Sequence, residues 1–145
     1  MSGTVHFQPG GGDGVARVVL DNAGKLNAID IAMWHEVRRV FDELQALPQS
    51  DAPRAVILAG AGGNFASGGD INEFASFRFD EAQLHDFHEQ TVAPALHAML
   101  ACDIPLFAQI DGACIGGGFE IAACCDIRIC GEASRFGAPI AKLDG

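Results

Sequence analysis

An α/β fold with a largely parallel sheet is what this sequence predicts, and three observations predict it. Short apolar runs, Ala55 to Ala59 and Leu106 to Ile110, read as strands, and their continuous apolar character predicts burial on both faces. Segments with helical spacing alternate with them, the pattern of a sheet wound with crossover helices. Each run is followed by a glycine-rich stretch, Gly60 to Gly69 and Gly112 to Gly118, which opens toward a helix. The chain has 145 residues, 49% hydrophobic and 19% charged, enough for one ordinary domain with its own core.

The elements follow in order. Val5 to Phe7 and Val15 to Leu20 are two strands joined by the turn Gln8 to Gly14. Asp21 to Leu26 is a polar loop. A helix runs from Ile31 to Leu47, with Asp30 as its cap, Trp34, Val37, Phe41 and Leu44 along one face, and Pro48 as its stop. A second helix starts at Glu81, where Asp80 and Gln83 resemble a capping box, and Pro94 divides or kinks it. After the strand Leu106 to Ile110, Asp111-Gly112 turns the chain. The glycine triplet leads into a short helix, Phe119 to Cys124, and Ile127 to Cys130 is the last strand. There is no repeat and no linker.

Charge and composition exclude several functions. Nine Lys and Arg stand against 19 Asp and Glu, a net charge of -10, so general binding to nucleic acid is not expected. No apolar run reaches the ~20 residues of a membrane-spanning helix, and no membrane association is expected. The amino terminus, Met1 to Val5, has neither a basic start nor an apolar signal core, so the expected address is cytoplasmic. The five cysteines, Cys102, Cys114, Cys124, Cys125 and Cys130, are odd in number, and none is in CxxC spacing. They read as small buried side chains, with neither a disulfide framework nor a metal site expected.

Glycine is abundant, with 18 residues, and two of the glycine loops open helices, where backbone N–H groups favour negative charge. Neither loop is a phosphate fingerprint. In the first, Phe65 stands where a dinucleotide loop needs its third glycine, and no Gly-Lys-Ser/Thr occurs anywhere. In the second, Gly112-Ala113-Cys114-Ile115-Gly116 has the form of a nucleophile elbow. Its partner histidine should follow the nucleophile, yet His6, His35, His85, His88 and His97 all precede Cys114. Glu120 lies three residues past Gly117 in the otherwise apolar stretch Phe119 to Cys125. Such surroundings raise a carboxyl pKa and suit a general base, while an acid in a first helical turn also fits a dipole cap. Both roles stay open for Glu120. Asp70 and Glu73 read as caps of a helix after the first loop.

These residues carry a resemblance. Leu26-Asn27-Ala28, Phe65 to Ile71, Asp111 to Glu120, Cys125-Asp126-Ile127-Arg128 and Phe136-Gly137 resemble, in order and spacing, the crotonase (enoyl-CoA hydratase/isomerase) superfamily. The resemblance implies a crotonase-like α/β spiral of ββα units, incomplete at the carboxy terminus. Residues 1–145 are then the amino-terminal part of a single acyl-CoA-binding domain. It implies an acyl-CoA thioester as substrate, with coenzyme A as its carrier and no separate cofactor or metal. The thioester oxygen would be held by the N–H groups of Gly69 and Gly117, with Glu120 as the catalytic acid. Gly68, Asp70, Ile71 and Gly116 would contact the substrate, and Lys25 and Leu26 would approach the adenine and phosphates. Members of the family assemble through later helices, so a trimer-based homo-oligomer is implied for a full-length protein.

Two departures qualify the match. The second carboxylate of the hydratases follows the proline of a Phe-Gly-x-Pro segment, and here that position is Ile140. The chain also ends in mid-pattern at Gly145, a little over halfway through such a fold. Both leave an alternative, a truncated non-catalytic remnant or interaction module of the same fold.

Overall fold

The computed structural model describes residues 3–68 and 81–137. A five-stranded sheet has the order β1-β2-β3-β4-β6, with β1 Thr4–Gln8, β2 Val15–Asp21, β3 Ala55–Gly60, β4 Leu106–Ile110 and β6 Ile127–Cys130. β1 and β2 form an antiparallel hairpin, and every other pair in this sheet is parallel. The five strands fall within a residue or so of the sequence expectation.

Helix α1, Ile31–Ala46, forms because its apolar residues recur on one stripe, and Met33, Trp34, Val37, Val40, Phe41 and Leu44 are all buried. Asp30 caps it: its Oδ1 accepts the Met33 N–H at 2.8 Å, and its Oδ2 accepts the Gly3 N–H. The helix ends at Leu47, which is extended, as the residue before a proline prefers. The second helical region is divided as expected. Helix α2, Glu81–Phe87, passes into a π-helical turn, His88–Val92, and then into α3, Ala93–Leu100, with Pro94 in its first turn. The wide turn is closed by the Ala93 N–H, which donates to the His88 carbonyl five residues back. Pro94 has no N–H to offer the turn before it, and the ring is accommodated where the helix widens.

Register shows where the core sits. Val18, Leu58 and Ala108 align across β2, β3 and β4 and are fully buried beneath the helices, with Val5 on β1. On β6 the same row continues as Arg128. The opposite row, with Val19, Ile57, Phe107, Ile127 and Ile129, is half-buried to exposed. The expectation that β3 and β4 are buried on both faces is therefore corrected. Among the described residues helices cover one face only, and the aliphatic back of the sheet stays accessible.

Two strands were not expected. β5, Ala113–Ile115, and β7, Arg135–Gly137, pair in parallel as a separate small sheet. Between β5 and β6 lies helix α4, Gly117–Ala123, which starts two residues earlier than expected. Arg128 Nη1 donates to the carbonyls of Ala122 and Cys125, tying the end of α4 to β6. Of the cysteines, Cys114 and Cys125 are buried as expected, whereas Cys130 is exposed because it lies on the edge strand β6. Among the described residues, no helix is long and apolar enough to cross a membrane.

Candidate active site

The two glycine loops meet. The Phe65 N–H lies 2.8 Å from the Asp111 carbonyl and 3.0 Å from that of Ala113. The Ala66 N–H donates to the Ala113 carbonyl, and the Ile115 N–H donates back to Ala66. Asn64 locks the joint, its Oδ1 accepting the Ala113 N–H at 2.9 Å. Glycine is required where the backbones touch. A Cβ on Gly118 would lie 2.5 Å from the Ala66 carbonyl oxygen, and one on Gly112 would collide with Asn64 and Gly63. Gly68, at φ +114°, backs onto Ile115 and Gly116.

A third segment closes on the pair. Residues 22–28 fold on themselves through Asn22, whose Nδ2 donates to the Ala28 carbonyl, and through Asn27 Oδ1, which accepts the Asn22 N–H. Asn27 Nδ2 then reaches the carbonyls of Ala61 and Asn64 in the first glycine loop. Ser67 Oγ donates to the Lys25 carbonyl, and the Ile29 N–H donates to the Gly68 carbonyl at 2.6 Å. Leu26 and Asn27 both have positive φ, 51° and 58°. Asparagine tolerates that region, but leucine does not favour it, and Leu26 is held there with its side chain 55% exposed. Residues kept in sparsely populated conformations tend to cluster at functional sites.

Gly116, at φ 55° and ψ −118°, delivers the chain into α4, and Gly117 is the first helical residue. The first N–H groups of an α-helix have no acceptor inside it. A Cβ on Gly117 would stand 2.8 Å from Cζ2 of Trp34, with Ile29 Cγ1 next to it. So the Lys25 carbonyl, beside Leu26, meets Ser67, Gly68 meets Gly116, and Gly117 and Glu120 follow in the first turn of α4. Gly69, Asp70 and Ile71, expected to continue it, lie outside the described residues, as do Glu73, Asp80 and Ile140.

Glu120 is half-buried on α4, with its N–H bonded to the Gly116 carbonyl at 2.9 Å. Burial pushes its carboxyl pKa up, and the nearby His88 pulls it partly back. Glu120 stands in the first turn of α4, where the helix dipole also favours an acid, so both roles stay open. One turn later, burial and the Glu120 charge push the Cys124 thiol up. The elbow reading of Cys114 fails on environment. Cys114 is fully buried on β5, and burial pushes its thiol up to about 11, the reverse of what a thiolate nucleophile needs. An open cavity of about 550 Å³, lined by Phe119, Ala122, Ala123, Arg128, Cys130 and Phe136, lies on the flank of α4 toward β6 and β7. Neither Gly117 nor Glu120 lines it. Among the described residues, no three His, Cys, Asp or Glu side chains group as a metal site would require.

The sequence reading missed three parts of this assembly. Asn27 and Asn64 carry the clamp between segments, and a lone asparagine in a loop has no signature that tells a clamp from a turn. The electrostatic influence of His88 on Glu120 acts across more than thirty residues of chain, which no local pattern encodes.

Comparisons with known proteins bear on the family and the fold. Residues 10–144 match the family model described as Enoyl-CoA hydratase/isomerase. A Mycobacterium leprae protein named "Probable enoyl-CoA hydratase echA8" is 34% identical over 134 residues, which are 90% of this chain and 49% of that protein. A peroxisomal Delta(3,5)-Delta(2,4)-dienoyl-CoA isomerase of Arabidopsis thaliana is 32% identical over 131 residues, 84% of this chain and 46% of its own length. The crystal structure of an enoyl-CoA hydratase/carnithine racemase from Magnetospirillum magneticum superposes with a TM-score of 0.85 at 34% identity, over 97% of this chain and 51% of that one. The chain thus spans about half the length of the relatives it matches.

Proposed function

The chain belongs to the enoyl-CoA hydratase/isomerase family, and on that premise we propose that it binds an acyl-CoA thioester and stabilises its enolate for proton transfer by Glu120. The observation that carries this reading is the joint between the two glycine loops. It sets Gly68 against Gly116, and Gly117 and Glu120 follow in the first turn of α4.

The chemistry needs a place for charge and a base. When a proton leaves the carbon next to a thioester, the electron pair moves onto the carbonyl oxygen. Fixed N–H donors aimed at that oxygen lower the barrier, and losing one such donor typically costs about 2.7–4 kcal/mol. Gly117 supplies one donor in this reading and Gly69 the other. Glu120 removes the proton. A carboxyl group raised by burial is a stronger base once ionised than an ordinary glutamate, which suits it to a weakly acidic C–H. Lys25 and Leu26 border the loop that would receive the nucleotide end of coenzyme A, which travels as part of the substrate. Asp70, Ile71, Gly68 and Gly116 complete the contacts in this proposal. The cytoplasmic address, the single acyl-CoA-binding domain and a trimer-based homo-oligomer are parts of the same proposal.

Calorimetry with a short acyl-CoA tests binding, and no heat at millimolar ligand overturns the reading. Glu120→Gln keeps the shape and removes the base. Affinity is then expected to change little, while turnover falls about 10²–10⁴-fold, the usual contribution of general acid–base catalysis. Binding with turnover unchanged in that variant would reject Glu120 as the base. Binding without turnover in the unaltered protein would favour the non-catalytic interaction module.

A further inference from the structure

The proposed function asks a run of consecutive glycines, Gly116-Gly117-Gly118, to hold one N–H still. Glycine has more conformational freedom than any other residue, so such a run keeps its place only through its contacts. A donor aimed at a developing oxyanion needs that support, because a displacement of about 1 Å can cost about 10²-fold in rate. We propose that Trp34 is a positioning residue for this site: the outer edge of its indole, with Ile29 beside it, is the support that fixes the Gly117 N–H. This inference rests on the acyl-CoA reading above.

Each glycine of the run meets a different support. The Gly116 N–H donates to the Gly137 carbonyl on β7 at 3.0 Å. Gly118 backs onto Ala66, where a Cβ would lie 2.5 Å from the carbonyl oxygen. Gly117 meets α1 and the residue before its cap. A Cβ there would stand 2.8 Å from Trp34 Cζ2, 3.5 Å from Trp34 Cη2 and 3.7 Å from Ile29 Cγ1. The Gly117 backbone therefore rests against the six-membered ring of the indole, with no room for a side chain between them. Gly117 is the first residue of α4 and lies outside the left-handed region. Its lack of a side chain thus answers to the tryptophan rather than to the backbone conformation.

The support is itself held firmly. Trp34 is buried in the first turn of α1, and its N–H donates to the Asp30 carbonyl at 3.0 Å. Asp30 in turn caps the helix through Met33. Ile29, also buried, donates its N–H to the Gly68 carbonyl at 2.6 Å. A planar peptide couples the direction of a carbonyl to that of the N–H that follows it in the chain. Ile29 thus reaches the first glycine loop through its backbone and the second through its side chain, and Trp34 stands beside it. The start of α1 is the common reference for both loops.

A support beneath the donor acts on rate more than on affinity. The thioester oxygen gains its charge only as the α-proton leaves, so a misplaced N–H weakens the transition state while the other contacts of the ligand persist. The indole also reports on its own contact, because Trp34 is the one tryptophan of the chain. A ligand that pulls on the Gly117 N–H changes the surroundings of the ring that carries Cζ2 and Cη2.

The test reads enolate formation as exchange of the α-proton of butyryl-CoA in D₂O, and affinity by calorimetry, in the unaltered protein, Trp34→Phe, Gly117→Ala and the double variant. Phenylalanine keeps an aromatic ring in the core but lacks the outer ring that meets Gly117. Trp34→Phe is expected to slow exchange at saturating ligand about 10–10²-fold and to change affinity little. Gly117→Ala drives a methyl group against the indole and should slow exchange as well. In the double variant that methyl group fills the space the indole leaves, so exchange should be faster than in either single variant. A purely structural role for Trp34 predicts no such recovery. Rates are compared well below the lowest melting temperature of the four proteins, which separates lost chemistry from lost fold. A further readout needs no variant: butyryl-CoA should shift the tryptophan emission of the unaltered protein, and coenzyme A alone, which has no thioester oxygen, should not. Exchange at full rate in Trp34→Phe, losses that merely add in the double variant, or an emission unmoved by bound butyryl-CoA overturns the role of Trp34 and leaves the acyl-CoA reading standing. Binding without exchange in the unaltered protein overturns the positioning role, and absence of binding overturns both.

Discussion

β1 and β6 bound the same sheet but meet water differently. On β1, Val5 points into the core, while Thr4, His6 and Gln8 face solvent, and the strand is held by a hairpin to β2 and by α1. On β6 all four residues are exposed, and two of them, Ile127 and Ile129, are large and aliphatic. Phe119 and Phe136 are exposed close by, around the cavity at the flank of α4. A strand that turns polar side chains outward is a finished edge. One that turns isoleucines outward at the edge of a sheet invites another chain. The difference teaches that hydrophobicity alone did not decide which strand is interior; the helices above them did.

The largest expected effect lies on the closed side. Phe41 is fully buried in α1, so Phe41→Ala should destabilise the protein by about 3–5 kcal/mol, read by denaturant titration. A loss below ~1 kcal/mol would mean that this side is as loosely held as the β6 edge, and the contrast would be broken. Next comes the tether of the amino-terminal edge. Asp30→Ala removes the cap of α1 and the acceptor for Gly3, at an expected cost of about 0.5–2 kcal/mol in the same measurement. The smallest change in stability is expected at the open edge. Ile129 is 59% exposed, so Ile129→Lys should alter stability by no more than about 0.5 kcal/mol. Its effect appears instead in light scattering: the 145-residue chain should self-associate, and a lysine on the edge should reduce that association. A monodisperse unaltered chain would show that the edge is inert.

The sheet was legible in the sequence because β1 to β4 and β6 are short runs of a type that few other structures use. Their burial was less legible. Ile57 and Phe107 are as apolar as Val56 and Leu106, and the chain does not announce which face receives helices. β5 and β7 escaped notice because three-residue strands carry no periodic signal. Pro94 correctly forecast an interruption in the helix, but not that the turn would widen at His88 rather than break. In the site, Glu120 could be singled out because a lone acid among apolar residues is physically unusual. Gly68, Gly116 and Gly117 came from the resemblance, since a backbone donor has no side chain to reveal it. The partnership of three loops through Asn27 and Asn64 depends on contacts across 37 and 49 residues, beyond the reach of any local pattern.

That clamp also governs how the molecule comes into being. Asn64 accepts from Asn27 on one side of the chain and from Ala113 on the other, so its bonds close when both a preceding and a following segment have arrived. Each closure costs chain entropy before any contact repays it, and pairing between parallel strands is slow for the same reason. The loops therefore cannot rehearse their final geometry as isolated segments. A nascent chain acquires this joint and its tertiary architecture in one kinetic event, and the return of the joint during refolding would clock the arrival of β4 and β5 rather than a later adjustment of an already folded body.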